Sequence, residues 1–470
     1  MHRPWHAFYP PGLSPKGHYP AEPLWRFVER AAQARPGKPA VVEQGRALAY
    51  GEFWQRVRRG AGWIREAGAA AGDRVLLRIG NRADFVVAYY AALLAGCVVV
   101  ASSPAIGERE RDEQRQDAMP ALEMEGGPGE GRPLGPVAGE LAVLQYTSGT
   151  TGSPMGAMMT HQNLVANALQ NARWFGWGAD EVNLAILPLC HTWGMCVCMN
   201  STFAVGGTLV VAERFDESET FSLVARHKAT VLYGSATMFH RLLDGPRGPL
   251  DSLRHVKAGA MLSQGDLKAR WDARYPHAPM QQGYGLTEAS PECHNNPPQR
   301  HKAGSVGLPI QDTDCRIVDG EVQLKGPQVT AGYWNRPDAT RDAFDGGWLR
   351  TGDVGSMDEE GYLTILDRKK DMLKFRGYTV SPNAVEDCLL RHPAVREAVV
   401  VGRPDPREGE IPVAFVVLRD RGCEAHLADH CRARLAPYEV PREYLVIDEI
   451  PKNHVGKPLR RVLRGRLGGG

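Results

Sequence analysis

With 470 residues, 43% of them apolar and 23% charged, the chain has the composition of an ordinary globular protein and is long for one core, so two or three domains are expected. A formal net charge of +2, from 56 basic and 54 acidic residues, excludes the basic field of a nucleic-acid binder. Nine cysteines, with only Cys190, Cys196 and Cys198 close together, form neither a disulfide framework nor a paired zinc-ligand spacing and point to a reducing cytoplasm.

No window reaches the ~18 apolar residues of a membrane span. Residues 1–23, with Trp5, His6, Tyr9, Pro10 and Pro11, lack the charged-then-apolar order of a signal peptide and are expected to wrap over a domain surface. Residues 23–32 and 48–67 carry apolar side chains at helical spacing, the latter through Tyr50, Phe53 and Val57. Residues 73–79 read as a buried strand, 85–95 as an apolar helix and 97–101 as a second strand, the βαβ rhythm of an α/β domain with a mainly parallel sheet. That rhythm continues in strand-like runs at 184–189, 208–211 and 230–233, with helical runs such as 221–228 between them. The Gly/Pro/Glu-rich residues 125–139 read as a loop or surface linker.

Beyond Gly304 the pattern changes. Residues 315–318 and 321–324 flank Asp319-Gly320, which predicts a hairpin on a type I′ turn. The charged run Asp367-Arg368-Lys369-Lys370-Asp371 precedes a small unit with helices at 384–390 and 428–435 and strands at 398–401 and 413–417. The boundary is placed at this run: a large domain over 1–366, a hinge at 367–371 and a small domain over 372–470.

Three segments carry chemistry. Tyr146-Thr147-Ser148-Gly149-Thr150-Thr151-Gly152-Ser153-Pro154 follows the apolar run 141–145. Its glycines let backbone N–H groups converge on an anion and its hydroxyls add donors, although the Gly-Lys-[Ser/Thr] ending of a P-loop NTPase is missing. In Gly283-Tyr284-Gly285-Leu286-Thr287-Glu288 the glycines leave room for a flat ring against Tyr284, with Thr287 a phosphate donor and Glu288 a metal ligand. Alone, that segment reads equally as a strand-to-helix turn with Thr287 as N-cap. Asp353, in Thr351-Gly352-Asp353, offers a carboxylate able to accept both hydroxyls of a ribose.

In this order the segments resemble the adenylate-forming (AMP-binding) superfamily, in particular acyl-CoA synthetases and fatty-acid–CoA ligases, over about residues 9–464. The resemblance implies a multi-domain α/β fold: a large N-terminal domain of stacked αβ subdomains with a β-barrel-like part, and a small mobile α+β C-terminal domain. It implies ATP, Mg2+ and coenzyme A, with a small carboxylic acid as the other substrate. Thr147, Ser148, Gly149, Thr150, Thr151 and Gly152 would cradle phosphates, and Gly283, Tyr284 and Gly285 would hold adenine. Thr287 would meet the α-phosphate, Glu288 the magnesium, and Asp353 with Arg368 the ribose. Lys457, in Asn453-His454-Val455-Gly456-Lys457, matches the mobile catalytic lysine; a cation there would stabilise a carboxylate attacking a phosphate. Lys370 matches the hinge, and Gly377 the strand that replaces Lys457 for the thioester step. His191, Trp193, Met195, Ala258, Gly259 and Ala260 match the acyl site, His191 also gating the thiol's approach.

Four places depart from the family pattern. Met155 stands where a lysine usually follows the phosphate loop, Thr379 where arginine or glutamine is common, and Asn453 where threonine is frequent. The polar stretch between Val100 and Leu141 is short where relatives carry another helix and strand. The expected activity is carboxylic acid–CoA ligation, with a fatty acid as substrate. Its alternatives are an aryl or alicyclic acid, transfer to a carrier-protein thiol, or a binding protein that has lost turnover. An α-amino acid is disfavoured because residues 187–195 offer no carboxylate to an ammonium. The sequence leaves the oligomeric state open, a homodimer included.

Overall fold

Helix Ala83–Leu94 is apolar on every side and buried from Phe85 onward, so it runs through the interior of the protein. In the computed structural model, which describes residues 3–467 apart from 138, 148–153, 246–247, 260–265, 420–425 and 454–455, it connects the parallel strands Arg74–Leu77 and Val98–Ala101. Helix Tyr50–Glu66 packs against it through a stripe that includes Tyr50, Phe53, Val57, Ala61 and Ile64.

The large domain holds three sheets. The first sets Leu122–Met124, Arg74–Leu77, Val98–Ala101 and Leu141–Thr147 in parallel and closes with Met155–Thr160 antiparallel. The second has nine strands, and its parallel centre runs through Val182–Ala185, Val231–Ser235, His255–Gly259 and Met280–Gly285. The third, around Glu321–Lys325 and Trp348–Met357, is antiparallel and forms the curled, half-barrel-like part. The predicted hairpin lies here: Asp314–Val318 pairs with Glu321–Lys325, with Asp319 and Gly320 at φ +51° and +78°, as a type I′ turn requires.

Sheet membership changes at the charged run. Leu363–Arg368 belongs to the third sheet and Leu373–Phe375 to a fourth, which with helices Pro382–Leu390, Leu427–Arg432 and Arg460–Leu467 forms the small α+β domain. Arg368 and Lys369 are held by Asp353 and Glu321 of the third sheet. Asp367 instead accepts from Ser381 Oγ at 2.8 Å and the Asn383 N–H at 2.9 Å, and Asp371 pairs with Arg464 at 2.9 Å, all in the small domain.

The fold differs from the sequence expectations at three places. The strand expected at 184–189 ends at Ala185, where Asn81 takes over the backbone: its amide donates to the Leu187 carbonyl and its carbonyl accepts from Leu189 N–H. The helix expected from residue 48 is preceded by the strand Arg46–Ala49, paired with Pro39–Glu43. Residues 100–141 do contain a helix, Glu108–Ala118, and a strand, Leu122–Met124. That helix is polar nearly all round, so hydrophobic periodicity could not reveal it. It is tied down by Ser102 on Gln114 and by Asp117, which accepts from Tyr146 at 2.7 Å and pairs with Arg336 at 2.8 Å. Residues 127–134 form the loop expected there, and they lie flat along helix Tyr50–Glu66, so closely that a Cβ on Gly62 would collide with the Arg132 carbonyl.

The opening residues do wrap the large domain. Arg3 pairs with Asp314, Tyr9 donates to the Pro309 carbonyl at 2.6 Å, and Trp5 is 2% exposed against Gly361. Among the described residues no helix is long and apolar enough to cross a membrane. Trp5→Ala should cost about 3–5 kcal/mol through the cavity it leaves, read as a clear fall in melting temperature; an unchanged melting curve would show that the strap carries no stability.

Candidate active site

Asp353 sits directly across the ladder from Arg368 on the neighbouring strand and is 2% exposed. One carboxylate oxygen pairs with Arg368 Nε at 2.8 Å and the other accepts from the Tyr284 hydroxyl, which comes from the second sheet. The turn before it is built for this. Gly352 has φ +70°, the left-handed region that favours glycine, and its N–H donates to Glu321 Oε1 at 3.0 Å. Thr351 donates to the Val322 carbonyl at 2.7 Å and accepts from the Asp353 N–H at 3.1 Å. Burial works against the Arg368 charge, but Asp353, then Tyr284 and Glu288, hold its pKa above the ordinary arginine value.

Gly283 and Gly285 flank Tyr284 for a reason the sequence reading missed. The antiparallel strand Glu292–Asn295 lies so close that a Cβ on Gly283 would strike the Asn295 side chain, and one on Gly285 the Pro291 carbonyl. His294 on that strand stands 5.8 Å from the Tyr284 ring, and burial pushes its pKa down to about 3, so it is neutral. Thr287 opens a short 3-10 turn whose N-cap is Leu286, so the N-cap alternative for Thr287 does not hold.

Glu288 is brought to the phosphate-loop end of the first sheet. Its carboxylate accepts from the Tyr333 hydroxyl at 2.8 Å and its carbonyl from Thr330 N–H at 2.8 Å. The Tyr333 segment bridges to Ala157 on strand Met155–Thr160, whose first residue pairs with Thr147. Ser148, Gly149, Thr150, Thr151 and Gly152 lie outside the described residues. Met155 is half-buried in the ladder at the mouth of that loop. Tyr333 was not singled out in the sequence; its one signal is the aromatic pair Tyr333-Trp334 after a glycine.

Lys457 arrives from the small domain on a tight turn. Its N–H donates to Asn453 Oδ1 at 2.9 Å, its carbonyl accepts from Asn453 N–H at 2.9 Å, and Lys452 bridges to Pro458. Asn453 is therefore the residue that shapes the turn. Gly456, at φ +81°, lies so near the large domain that a Cβ there would be 3.5 Å from Ser235 Oγ. Lys457 is open to solvent yet walled by protein: desolvation first, then Arg368 and Lys370, lower its pKa to about 8 against Asp353 and Asp371. Lys370 is likewise lowered, by burial and then by Arg368 and Arg464 against Asp371 and Asp353. Gly377 is elsewhere, on the exposed tip of the hairpin between Leu373–Phe375 and Tyr378–Val380 that also carries Thr379.

The residues expected at the acyl site separate. Met195 is buried in the core around helix Ala83–Leu94, and Ala258 faces the core on the helix side of the second sheet. Trp193 and Gly259 do meet: a Cβ on Gly259 would lie 2.6 Å from the indole Cη2. His191 accepts at Nδ1 from the backbone N–H of Trp193 at 3.3 Å, beside that pair. Ala260 lies outside the described residues. Lys257, not foreseen, is 1% exposed and gives its ammonium to Glu292 and to Asn295 Oδ1 at 2.5 Å, directly behind Gly283.

Comparison with known proteins gives this geometry a family. The AMP-binding enzyme family matches residues 28–124 and 113–334, meeting in the shortened stretch, and the AMP-binding enzyme C-terminal domain matches 384–457. The chain is 33% identical to the Long-chain-fatty-acid–CoA ligase of Bacillus subtilis (strain 168), covering 98% of this chain and 97% of that protein. It is also 33% identical to the Feruloyl-CoA synthase of an Amycolatopsis species, covering 95% and 99%. ATP-bound MatB from Rhodopseudomonas palustris, 30% identical with 95% and 99% covered, superposes with a TM-score of 0.88, against 0.75 for its apo form. The chain belongs to the AMP-binding enzyme family of adenylate-forming, AMP-producing acid–thiol ligases.

Proposed function

We propose that the protein is an ATP-dependent carboxylic acid–CoA ligase that forms an acyl-adenylate and then a thioester at one site. The observation that carries this reading is Lys457, delivered by the small domain into the electrostatic field of Asp353 and Arg368 of the large one. The higher TM-score to ATP-bound than to apo MatB supports the same arrangement of domains.

In the first half-reaction Asp353 accepts the ribose hydroxyls, supported by Arg368, while Tyr284 carries the adenine face. Thr287 and the loop around Thr147 hold phosphate oxygens. Lys457 stands between the attacking carboxylate and the α-phosphate, two anions whose approach a cation stabilises in the transition state. Magnesium suits Glu288, a single carboxylate kept in place by Tyr333, since that ion commonly takes one or two carboxylates and completes its shell with phosphate and water. When bound it neutralises phosphate charge.

For the second half-reaction, rotation about Lys370 withdraws Lys457 and brings the Gly377 hairpin across, so that CoA can reach the acyl carbonyl and displace AMP. The split of the charged run supports a hinge there, Arg368 and Lys369 being tied to the large domain and Asp367 and Asp371 to the small one. A carrier-protein thiol is the competing acceptor. For the acid, similarity to the Bacillus ligase favours a fatty acid, whereas the Trp193 indole across Gly259 favours a compact one. Pyrophosphate release across a panel of acids, with mass spectrometry for the CoA thioester, tests the whole reading. Release with at least one acid and a CoA product is expected; folded protein that releases none with any acid would refute it.

Lys457→Ala should abolish adenylation yet leave thioester formation from a supplied acyl-adenylate; equal loss in both half-reactions, in single turnover, would remove Lys457 from this role. Because the ammonium is the active form and its pKa is lowered to about 8, adenylation kcat/KM should fall as pH rises through about 8. A profile flat to pH 10 would contradict it. Asp353→Ala should raise the ATP Kd at least ~10-fold, since hydrogen bonds to a charged group contribute about 1.5–3 kcal/mol each. An unchanged Kd by calorimetry, in folded protein, would move the ribose site elsewhere.

A further inference from the structure

We propose that Asp117 is a positioning residue of the phosphate loop, joining the strand pair that carries the loop to the segment that holds Glu288. This rests on the ligase reading, which gives the loop to phosphates and Glu288 to magnesium.

Thr147 and Met155 are register partners, so the loop leaves the first sheet and returns to it at one place and is carried by that strand pair. One residue before the loop, Tyr146 faces Gly156 across the ladder, and a Cβ on Gly156 would be 3.2 Å from the Cζ of its ring. The Tyr146 hydroxyl donates to Asp117 Oδ2 at 2.7 Å, and Arg336 Nη2 pairs with Asp117 Oδ1 at 2.8 Å. Each carboxylate oxygen is thus committed to a different part of the chain. Tyr146 is 9% exposed and the Asp117 side chain 10%, so water competes little for either bond. Burial first, then Asp117, push the Tyr146 phenol above its ordinary pKa, and it keeps the proton that it donates.

Arg336 ends a segment that touches everything else at this place. The Trp334 N–H donates to the Gly156 carbonyl at 2.8 Å, and Tyr333 bridges to Ala157, both on the strand that returns from the loop. The Tyr333 hydroxyl donates to the Glu288 carboxylate at 2.8 Å, and the Thr330 N–H to the Glu288 carbonyl at 2.8 Å. Residues 330–336 therefore hold Glu288 and the returning strand directly, and reach the departing strand through Asp117. Arg74 adds a second tie, donating to the carbonyls of Ala118 at 2.8 Å and Met119 at 3.0 Å with its guanidinium 5.7 Å from the Trp334 ring centroid.

Helix stability does not account for Asp117. It stands in the last turn of helix Glu108–Ala118, where a carboxylate meets the negative end of the helix dipole. The interactions that favour it come from Tyr146 and Arg336, outside its own helix.

The test is calorimetry of MgATP and of AMP with the native full-length protein, Asp117→Asn and Tyr146→Phe, with a melting temperature for each. AMP lacks the two outer phosphates and so reads the rest of the nucleotide site. Asparagine keeps one acceptor oxygen where Asp117 uses two. Asp117→Asn should raise the ATP Kd about 10-fold or more, the loss expected for hydrogen bonds to a charged group, and leave the AMP Kd unchanged. Tyr146→Phe, which keeps the ring on Gly156 and removes only the hydroxyl, should show the same selectivity in smaller measure. It decides the matter if Asp117→Asn does not fold. Kd values for ATP and AMP that rise together would show a merely structural role and overturn the proposal. So would a lowered melting temperature with both constants unaltered, and either result would leave the ligase reading intact. Native protein that binds neither nucleotide would refute that reading and this inference together.

Discussion

The buried carboxylate of Asp353 is the constraint on which the rest of the site depends. It joins three parts of the chain that share no local sequence: its own strand in the third sheet, Tyr284 from the end of the second, and Arg368 at the threshold of the small domain. A charge this buried needs partners, because an unpaired one costs several kcal/mol. Arg368 and the Tyr284 hydroxyl meet that need, and in doing so they fix the Tyr284 ring and the charged run relative to each other. The left-handed Gly352 turn and Glu321 then hold the carboxylate's backbone. The placement of Tyr284 beside Arg368 is thus a by-product of satisfying one buried charge.

Around that anchor the cleft sets three cations among carboxylates that partly neutralise them. Lys457, Arg368 and Lys370 act on one another, and both lysines have their pKa values lowered despite Asp353 and Asp371. Desolvation is the larger cause for each, mutual repulsion the next. An anionic ligand entering such a cleft relieves both the repulsion and the lost hydration, which gives it a larger electrostatic gain than on an open surface.

The periphery shows how a polar helix is kept in place. Helix Glu108–Ala118 has almost no apolar face, yet Asp117 ties it to Tyr146, at the start of the phosphate loop, and to Arg336. The segment after it is flattened onto the glycines of helix Tyr50–Glu66. Polar anchoring holds this helix, and it puts Asp117 in direct contact with Tyr146 on the strand that leads into the loop.

Much of the fold was legible in the sequence because it is written in local chemistry. An all-round apolar segment such as Ala83–Leu94 has to be an interior helix. Asp319-Gly320 between alternating strands has to turn with positive φ, and the order of Gly/Ser/Thr, Tyr-Gly and Gly-Asp segments identified the family before any coordinate. The acyl site was less legible. Met195 and Ala258 were grouped with Trp193 by the family resemblance, yet a π-helical turn and a strand's two-residue alternation sent them into different cores. Tyr333 on Glu288, Lys257 behind Gly283, Asn453 shaping the lysine turn and the indole across Gly259 were invisible for a common reason. Each is set by which distant strand lies alongside, at a separation of a few ångströms that no periodicity encodes. The sequence by itself determined the elements, the family chemistry and the identity of the charged groups. Only the tertiary structure decided which charges share a cleft and how much room they leave for an acid, because both depend on close packing between segments far apart in the chain.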